Sequence, residues 1–330
     1  LAALLIDVYS ALNPWGRVLG WLGVAEGDGG RGYEPAVLVL LAFTWLELVS
    51  PRQGPPVLAV AALAYLFYLV VVGYRYGRRA VTESFDGFAV YTRLFGSMGP
   101  ITIDDEGRWR RRPWLRGLVS VPERSGLDMV AVVMIGTVTY DGAKSSAFWT
   151  DSIVSPLVSI LPAWSPAVLS AVIGTVGLFG TVGLVGIGYR IACWGAARLG
   201  GGSMTAAEVS LRFAHTLIPI GFAYAFAHYF TLVLFEGQLL LSTISDPLGR
   251  GWDLFGTADR AISYALLGSG TWVWYVQVVV IVLGHVAGVV LAHDRALADF
   301  AGPNAVRSQY AMLGLMIALT GLGLTLLAAG

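Results

Sequence analysis

Apolar runs long enough to cross a bilayer constrain this chain more than any other feature. A helix needs about 20 mostly apolar residues to span the hydrocarbon core. In lipid, the backbone satisfies its hydrogen bonds only in helices or closed barrels. Seven runs read as spanning helices: 35–49, 57–74, 127–140, 166–189, 211–235, 271–295 and 308–328. Charged residues make up only 13% of the chain and hydrophobic residues 56%, against about a quarter charged in soluble domains. The expected fold class is all-α, a polytopic transmembrane helical bundle of about seven spans plus interfacial helices, in one domain over 1–330. The lipid bilayer is the first partner this implies. The formal net charge is zero, so no global field points to nucleic acid.

The ends of these runs are marked. Residues 1–12 read as the end of a helix, stopped at Asn13-Pro14, because the residue before proline is pushed out of the helical region. Leu1 lies inside an apolar run that lacks the basic start and small-residue cleavage site of a signal peptide. A further N-terminal part is therefore expected. The fourth run carries glycine at 174, 177, 180, 183, 186 and 188, which lets neighbouring backbones approach closely. The fifth contains Pro219, where a kink is expected.

Between the second and third runs the character changes. Residues 75–125 hold ten of the 21 basic residues, including Arg108, Arg110, Arg111 and Arg112. Basic loops stay on the cytoplasmic side, so 75–125 is expected there, with an amphipathic helix within 80–98 lying on the membrane surface. Residues 143–165, with Trp149, Asp151, Pro156, Pro162 and Trp164, suit an interfacial or re-entrant segment. Counting outward, 236–262 is an extracytoplasmic cap loop, acidic through Glu236, Asp246, Asp253 and Asp259. Its Gly, Pro and Asp content favours defined turns, and Trp252 and Phe255 suit the membrane interface.

All four histidines lie on the fifth and sixth runs: His215 and His228, then His285 and His293. Neutral imidazole is a common transition-metal ligand. His215 and His293 fall near the cytoplasmic ends of their helices and could be level. His228 lies 13 residues beyond His215, about 19 Å along a helix, and His285 eight residues from His293, about 12 Å. The unequal spacings argue against two stacked haems. They leave a single b-type haem, or a bare copper, iron or zinc ion, held by His215 and His293 or by His228 and His285. The task would be electron transfer, or service as the anchor of a complex with other membrane or redox subunits. A competing reading has the imidazoles bonding to backbones or tyrosines to hold helices together. A third has them relaying protons, because ionisable groups within a membrane mark such pathways.

A separate set could hold a metal and activate water at the outer mouth: His228 with Glu236, Asp246, Asp253 and Asp141. The alternative is that these acids cap helices or stand in solvent, and Glu47 has the same ambiguity. Met312 and Met316 share a face of the last run, a spacing more often used for packing than for ligation. With Cys193 as the one cysteine, no disulfide framework or thiolate cage forms within the chain. There is no P-loop, no zinc-protease HExxH and no nucleophile elbow.

Five stretches carry a resemblance: Thr139–Gly142 (TYDG), His215–Tyr229 (HTLIPIGFAYAFAHY), Ser245–Ala258 (SDPLGRGWDLFGTA), Gly284–His293 (GHVAGVVLAH) and Arg307–Leu313 (RSQYAML). The chain from Asn13 onward resembles the fenitrothion hydrolase-like family of prokaryotic polytopic membrane proteins, most densely after residue 210. It departs from the family pattern at Ala311, where proline is expected. The resemblance implies a place in the prokaryotic cytoplasmic membrane, further segments upstream and, from the family label, a metal-dependent organophosphate phosphotriesterase.

Overall fold

A computed structural model describes residues 13–51, 54–103, 108–161, 164–264 and 271–329. The reading of 1–12 as a helix end lies outside these residues. The described chain is helical apart from one small hairpin. Its helices are α1 (Pro14–Trp21), α2 (Glu34–Leu48), α3 (Pro55–Tyr76), α4 (Gly87–Gly96), α5 (Leu127–Lys144), α6 (Pro166–Leu199), α7 (Ala206–Phe213), α8 (Ile218–Phe235), α9 (Leu239–Ser245), α10 (Thr271–Asp299) and α11 (Pro303–Ala329). Strands β1 (Ile101–Ile103) and β2 (Trp109–Arg111) pair antiparallel, with Ile101 opposite Arg111.

Every run expected to span is helical, but the expected count of seven spans is corrected to five. Among the described residues, only α3, α6, the stretch from α7 to α9, α10 and α11 are long and apolar enough to cross a membrane. By length and composition this is a multi-pass membrane protein. Helix α2 has 15 residues, about 22 Å against the roughly 30 Å hydrocarbon core. Helix α5 has 18 residues that include Asp128, Asp141 and Lys144. Its charges sit at its ends, and ten of its residues are buried. It is the helix around which α2, α6, α8 and α11 pack.

Carboxylates hold α5 near both ends. At the end nearer 75–125, Ser210 Oγ donates to Asp128 Oδ2 at 2.7 Å and Arg190 pairs with the same oxygen at 3.0 Å. At the other end Asp141 meets α8. Between them Gly136 lies against Val182, and Gly221 of α8 against Met134. The glycines of α6 serve several neighbours, as expected: Gly174 faces Val49 and Tyr140, Gly177 faces Trp149, Gly186 faces Val132 and Gly195 faces Ala311.

The fifth run is not one kinked helix. Thr205 and Glu208 form a capping box that starts α7. The chain then tightens through Ala214–Leu217 and restarts as α8 with Pro219 in its first turn, where a missing N–H costs little. Helices α8 and α10 pack closely and antiparallel. A Cβ on Gly284 would stand 2.4 Å from Ala223 Cβ and 2.8 Å from the Pro219 carbonyl oxygen, and Gly288 abuts the Thr216 carbonyl. Gln277 Nε2 donates to the Ala227 carbonyl at 2.7 Å.

The stretch 80–98 packs part of its surface against the bundle. Asp86 is buried, caps α4 at Ala89 N (3.0 Å) and accepts from Tyr65 Oη at 2.7 Å. Six residues of α4 are buried, and Phe95 packs edge-on against Phe222 of α8. Its apolar side faces the bundle because α2 and α8 offer protein there. Arg112 donates to the carbonyls of Gly96 and Gly99. Residues 147–160 form short helical turns without buried residues. Met312 and Met316 pack in the core.

The 236–262 loop is folded, as its turn residues suggest. Asp246 accepts from the backbone N–H of Arg250 and of Gly251. Asp253 accepts from Ala258 N and Ser245 Oγ. Thr257 donates to the Leu241 carbonyl, and Ser263 N to Gln238 Oε1. Trp252 and Phe255 are exposed.

Two predictions follow from the packing and the cap. Gly284→Ala should lower the apparent melting temperature in detergent, by an overpacking cost of about 1–3 kcal/mol. Gly180, which has nothing within 4 Å of an added Cβ, should accept alanine without loss. Equal melting of the two variants would contradict this packing. In the cap, the Arg250 amide holds the Asp246 carboxyl below its usual range, and the Ala258 amide followed by the Ser245 hydroxyl does so for Asp253. Groups with depressed folded values stabilise the cap above the unfolded carboxylate value of about 3.9, and this is lost as pH falls through the folded value. Amide exchange at 245–258 should therefore stay slow from neutral pH down to about pH 4 and quicken below it. Asp253→Ala should open the cap at neutral pH, and unchanged protection in that variant would refute the capping role.

Candidate functional site

The last turn of α5 and the middle of α8 bring together the closest pair of expected site residues. His228 Nε2 stands 2.6 Å from Asp141 Oδ2, and both side chains are largely buried. A carboxylate only accepts, so Nε2 carries the proton and Nδ1 is left as the basic nitrogen of the neutral ring. Hydrogen bonds to a charged group contribute about 1.5–3 kcal/mol, and this one ties α5 to α8. Glu47, at the end of α2, lines one cavity with Asp141.

Two cavities flank the pair. One, of about 170 Å³, is lined by His228, Gln277, Tyr224, Thr139, Gly142 and Ser145. It is large and polar enough to hold several waters. The other, of about 300 Å³, is lined by Asp141, Glu47, Thr44, Thr137, Tyr91 and Tyr229. Each partner of this hydrogen bond thus forms part of a different cavity wall.

The other histidines are held separately. His285 is buried, and its Nδ1 lies 2.8 Å from the Ile281 carbonyl. Nδ1 must therefore carry the proton, and Nε2 is buried with no hydrogen-bond partner among the described residues. The ring lies against Tyr224, with centroids 5.6 Å apart. His215 is buried and bonds to the Arg212 carbonyl. It adjoins an ionic cluster in which Arg212 pairs with Asp299 at 2.8 Å, Arg295 pairs with the same carboxylate at 2.8 Å, and Arg295 also meets Glu123. His293 is exposed and its Nδ1 lies 2.7 Å from Gln309 Oε1.

The contacts between α8 and α10 set the heights of these groups. Gln277 meets Ala227, Gly284 meets Pro219 and Ala223, and Gly288 meets Thr216. His285 therefore stands about 10 Å below His228, further apart than the sequence spacing implies. His215 faces the bundle, whereas His293 faces Gln309 of α11 and falls about one turn beyond His215 by the same register.

The ligand sets proposed for haem b, copper, iron or zinc are not assembled. Among the described residues no three His, Cys, Asp or Glu side chains could hold one ion. Glu236 is exposed in a turn beyond α8, eight residues and about 12 Å above His228. Asp246 and Asp253 are occupied in capping their own loop. Of the outer set, only His228 and Asp141 meet. Sequence reasoning passed over Gln277, a polar residue inside the run WVWYVQVVVIV, although an amide at mid-run is itself a signal. It also passed over Glu123 and Asp299, whose partners come from distant segments.

Comparison of the chain with protein-family models, with curated proteins and with solved structures found no match.

Proposed function

We propose that this protein moves protons across the cytoplasmic membrane as part of a transport cycle, with the Asp141–His228 pair as the proton-binding group. The single observation behind this reading is an imidazole–carboxylate pair standing between two cavities inside a bundle of membrane-crossing helices. Ionisable side chains are costly at membrane depth and mark ion and proton pathways. Imidazole changes charge near neutral pH, and the carboxylate stabilises the protonated ring once Nδ1 takes up a proton. The basic 75–125 segment would face the cytoplasm, which puts the pair toward the extracytoplasmic side.

A second reading is hydrolysis, as the fenitrothion hydrolase-like resemblance implies. An imidazole oriented by a carboxylate is also a general base, and Ser145 lines the same cavity as His228. Turnover of a phosphotriester by purified protein, lost in His228→Asn, would favour this reading over the first.

Proteoliposomes with an internal pH dye and an imposed membrane potential test the main reading. Wild-type protein should acidify the lumen. Asp141→Asn and His228→Asn should each slow this by about a hundredfold, the scale of a lost proton-transfer group, and His293→Ala should not. A wild type that folds but passes no protons would end the proposal.

A further inference from the structure

A strongly basic cleft of about 370 Å³ lies where α1 meets the chain leaving α3, apart from the Asp141–His228 pair. Its wall carries Arg17 of α1, Arg78 and Arg79 just beyond α3, and Arg93 of α4, with Glu26 the one carboxylate among the described wall residues. A concave wall of one charge sign focuses its field and gathers counter-ions. The volume falls within the roughly 300–1,000 Å³ of small-molecule sites. The nearby acids do not cancel the excess. Glu26 reaches Arg78 only at 3.9 Å. Glu83 is shared between Arg79 at 2.8 Å and Arg124 at 2.9 Å. Asp86 accepts from Tyr65 and from the Ala89 N–H. Arg93 donates to the Thr82 and Glu83 carbonyls, which carry no net charge, and a guanidinium has five N–H groups to give.

The backbone sets these arginines in place. Gly77, at φ +90°, turns the chain off α3 and lies against Gly27, where a Cβ would stand 2.5 Å from the Gly27 Cα. The close approach lets Arg78 N and Arg79 N donate to the Ala25 and Glu26 carbonyls at 2.9 and 2.8 Å. A Cβ on Gly20 would stand 2.7 Å from Arg78 Nη1, so the bare backbone of α1 makes room for that guanidinium. Guanidinium groups held in this way suit phosphate, whose oxygens accept their paired N–H groups.

The cleft also has a definite level. Helix α3 is long and apolar enough to cross a membrane and ends at Tyr76, two residues before Arg78. Tyr74 Oη donates to the Leu22 carbonyl at 2.8 Å, which ties the end of α1 to the last turn of α3. Trp21 of α1 is 83% exposed, and tryptophan collects at the membrane interface. Basic pockets beside the cytoplasmic ends of membrane helices recognise anionic headgroups. We propose that this cleft binds the phosphate of an anionic phospholipid, with Arg17 and Arg78 among its donors. A bound headgroup pins α1 and the start of the 75–125 segment to one membrane surface. The site is independent of the proton-moving reading.

The protein in neutral detergent, titrated with phosphatidylglycerol and separately with phosphatidylcholine, tests this through its melting temperature and through the lipid it retains after washing. Phosphatidylglycerol should raise the melting temperature and be retained, and phosphatidylcholine should do neither. Arg17→Gln and Arg78→Gln should each weaken phosphatidylglycerol binding by about fivefold, the scale of one basic residue at an anionic lipid surface. Arg111→Gln, on the exposed hairpin of the same basic segment, should leave it unchanged. Should Arg78→Gln fail to fold, Arg17→Gln on the exposed side of α1 carries the same test. An equal loss in Arg111→Gln would mean diffuse attraction to the basic segment and overturns the cleft. Wild-type binding in folded Arg17→Gln and Arg78→Gln overturns it as well. Inorganic phosphate is the remaining arm and should protect only weakly. If it protects the wild type as well as phosphatidylglycerol does, and Arg78→Gln loses both, the cleft serves a soluble phosphate and the lipid assignment falls.

Discussion

Helix α5 is buried along most of its length, yet it carries a carboxylate near each end, and the rest of the bundle is arranged to satisfy them. Asp128 is met by Ser210 and Arg190, and Asp141 by His228. A buried charge without a partner would cost several kcal/mol, so α6, α7 and α8 must approach α5 at these two heights. The two acids lie 13 residues, about 20 Å, apart, which sets one anchor near each end of α5. The helices long and apolar enough to cross a bilayer pack around one that carries too much charge to be counted with them.

The second constraint is the close approach of α8 and α10. Gly284 and Gly288 remove side chains where Pro219, Ala223 and Thr216 would otherwise collide. Membrane helices lack a hydrophobic drive toward one another and associate through such contacts and through interhelical hydrogen bonds. Gln277 supplies one of those bonds to the Ala227 carbonyl. Together these contacts fix the relative height of the two helices and so place His285 between His228 and His215. One side chain added at Gly284 would disturb this register.

Much of the fold was legible in the residues. Apolar run length located every long helix, turn chemistry identified 245–258 as a folded cap, and Pro219 marked the break between α7 and α8. Apolar character drew 35–49 and 127–140 into the count of spans, although the first helix has only 15 residues and the second carries three charged ones. An amphipathic helix such as that within 80–98 has the same pattern whether its apolar face meets lipid or protein, and Phe95 packing on Phe222 shows that part of that face meets protein. At the site, histidine and acid positions were visible, but their grouping was not. Asp246 and Asp253 looked like ligands by residue type and proved to be loop caps, since a carboxylate serves either role according to which amides come within reach.

The sequence by itself determined that this chain is a helical membrane protein, roughly where its long helices lie, and that its imidazoles are confined to two neighbouring segments. These follow from local rules of backbone satisfaction in lipid, from capping and from apolar run length. Only the tertiary structure decided that α5 is the central helix, that Asp141 belongs to His228, and that the other three histidines have separate partners. Those outcomes depend on the rotation and height of each helix against its neighbours. Such quantities are set by contacts between residues 50 to 100 positions apart, and no spacing within one helix encodes them.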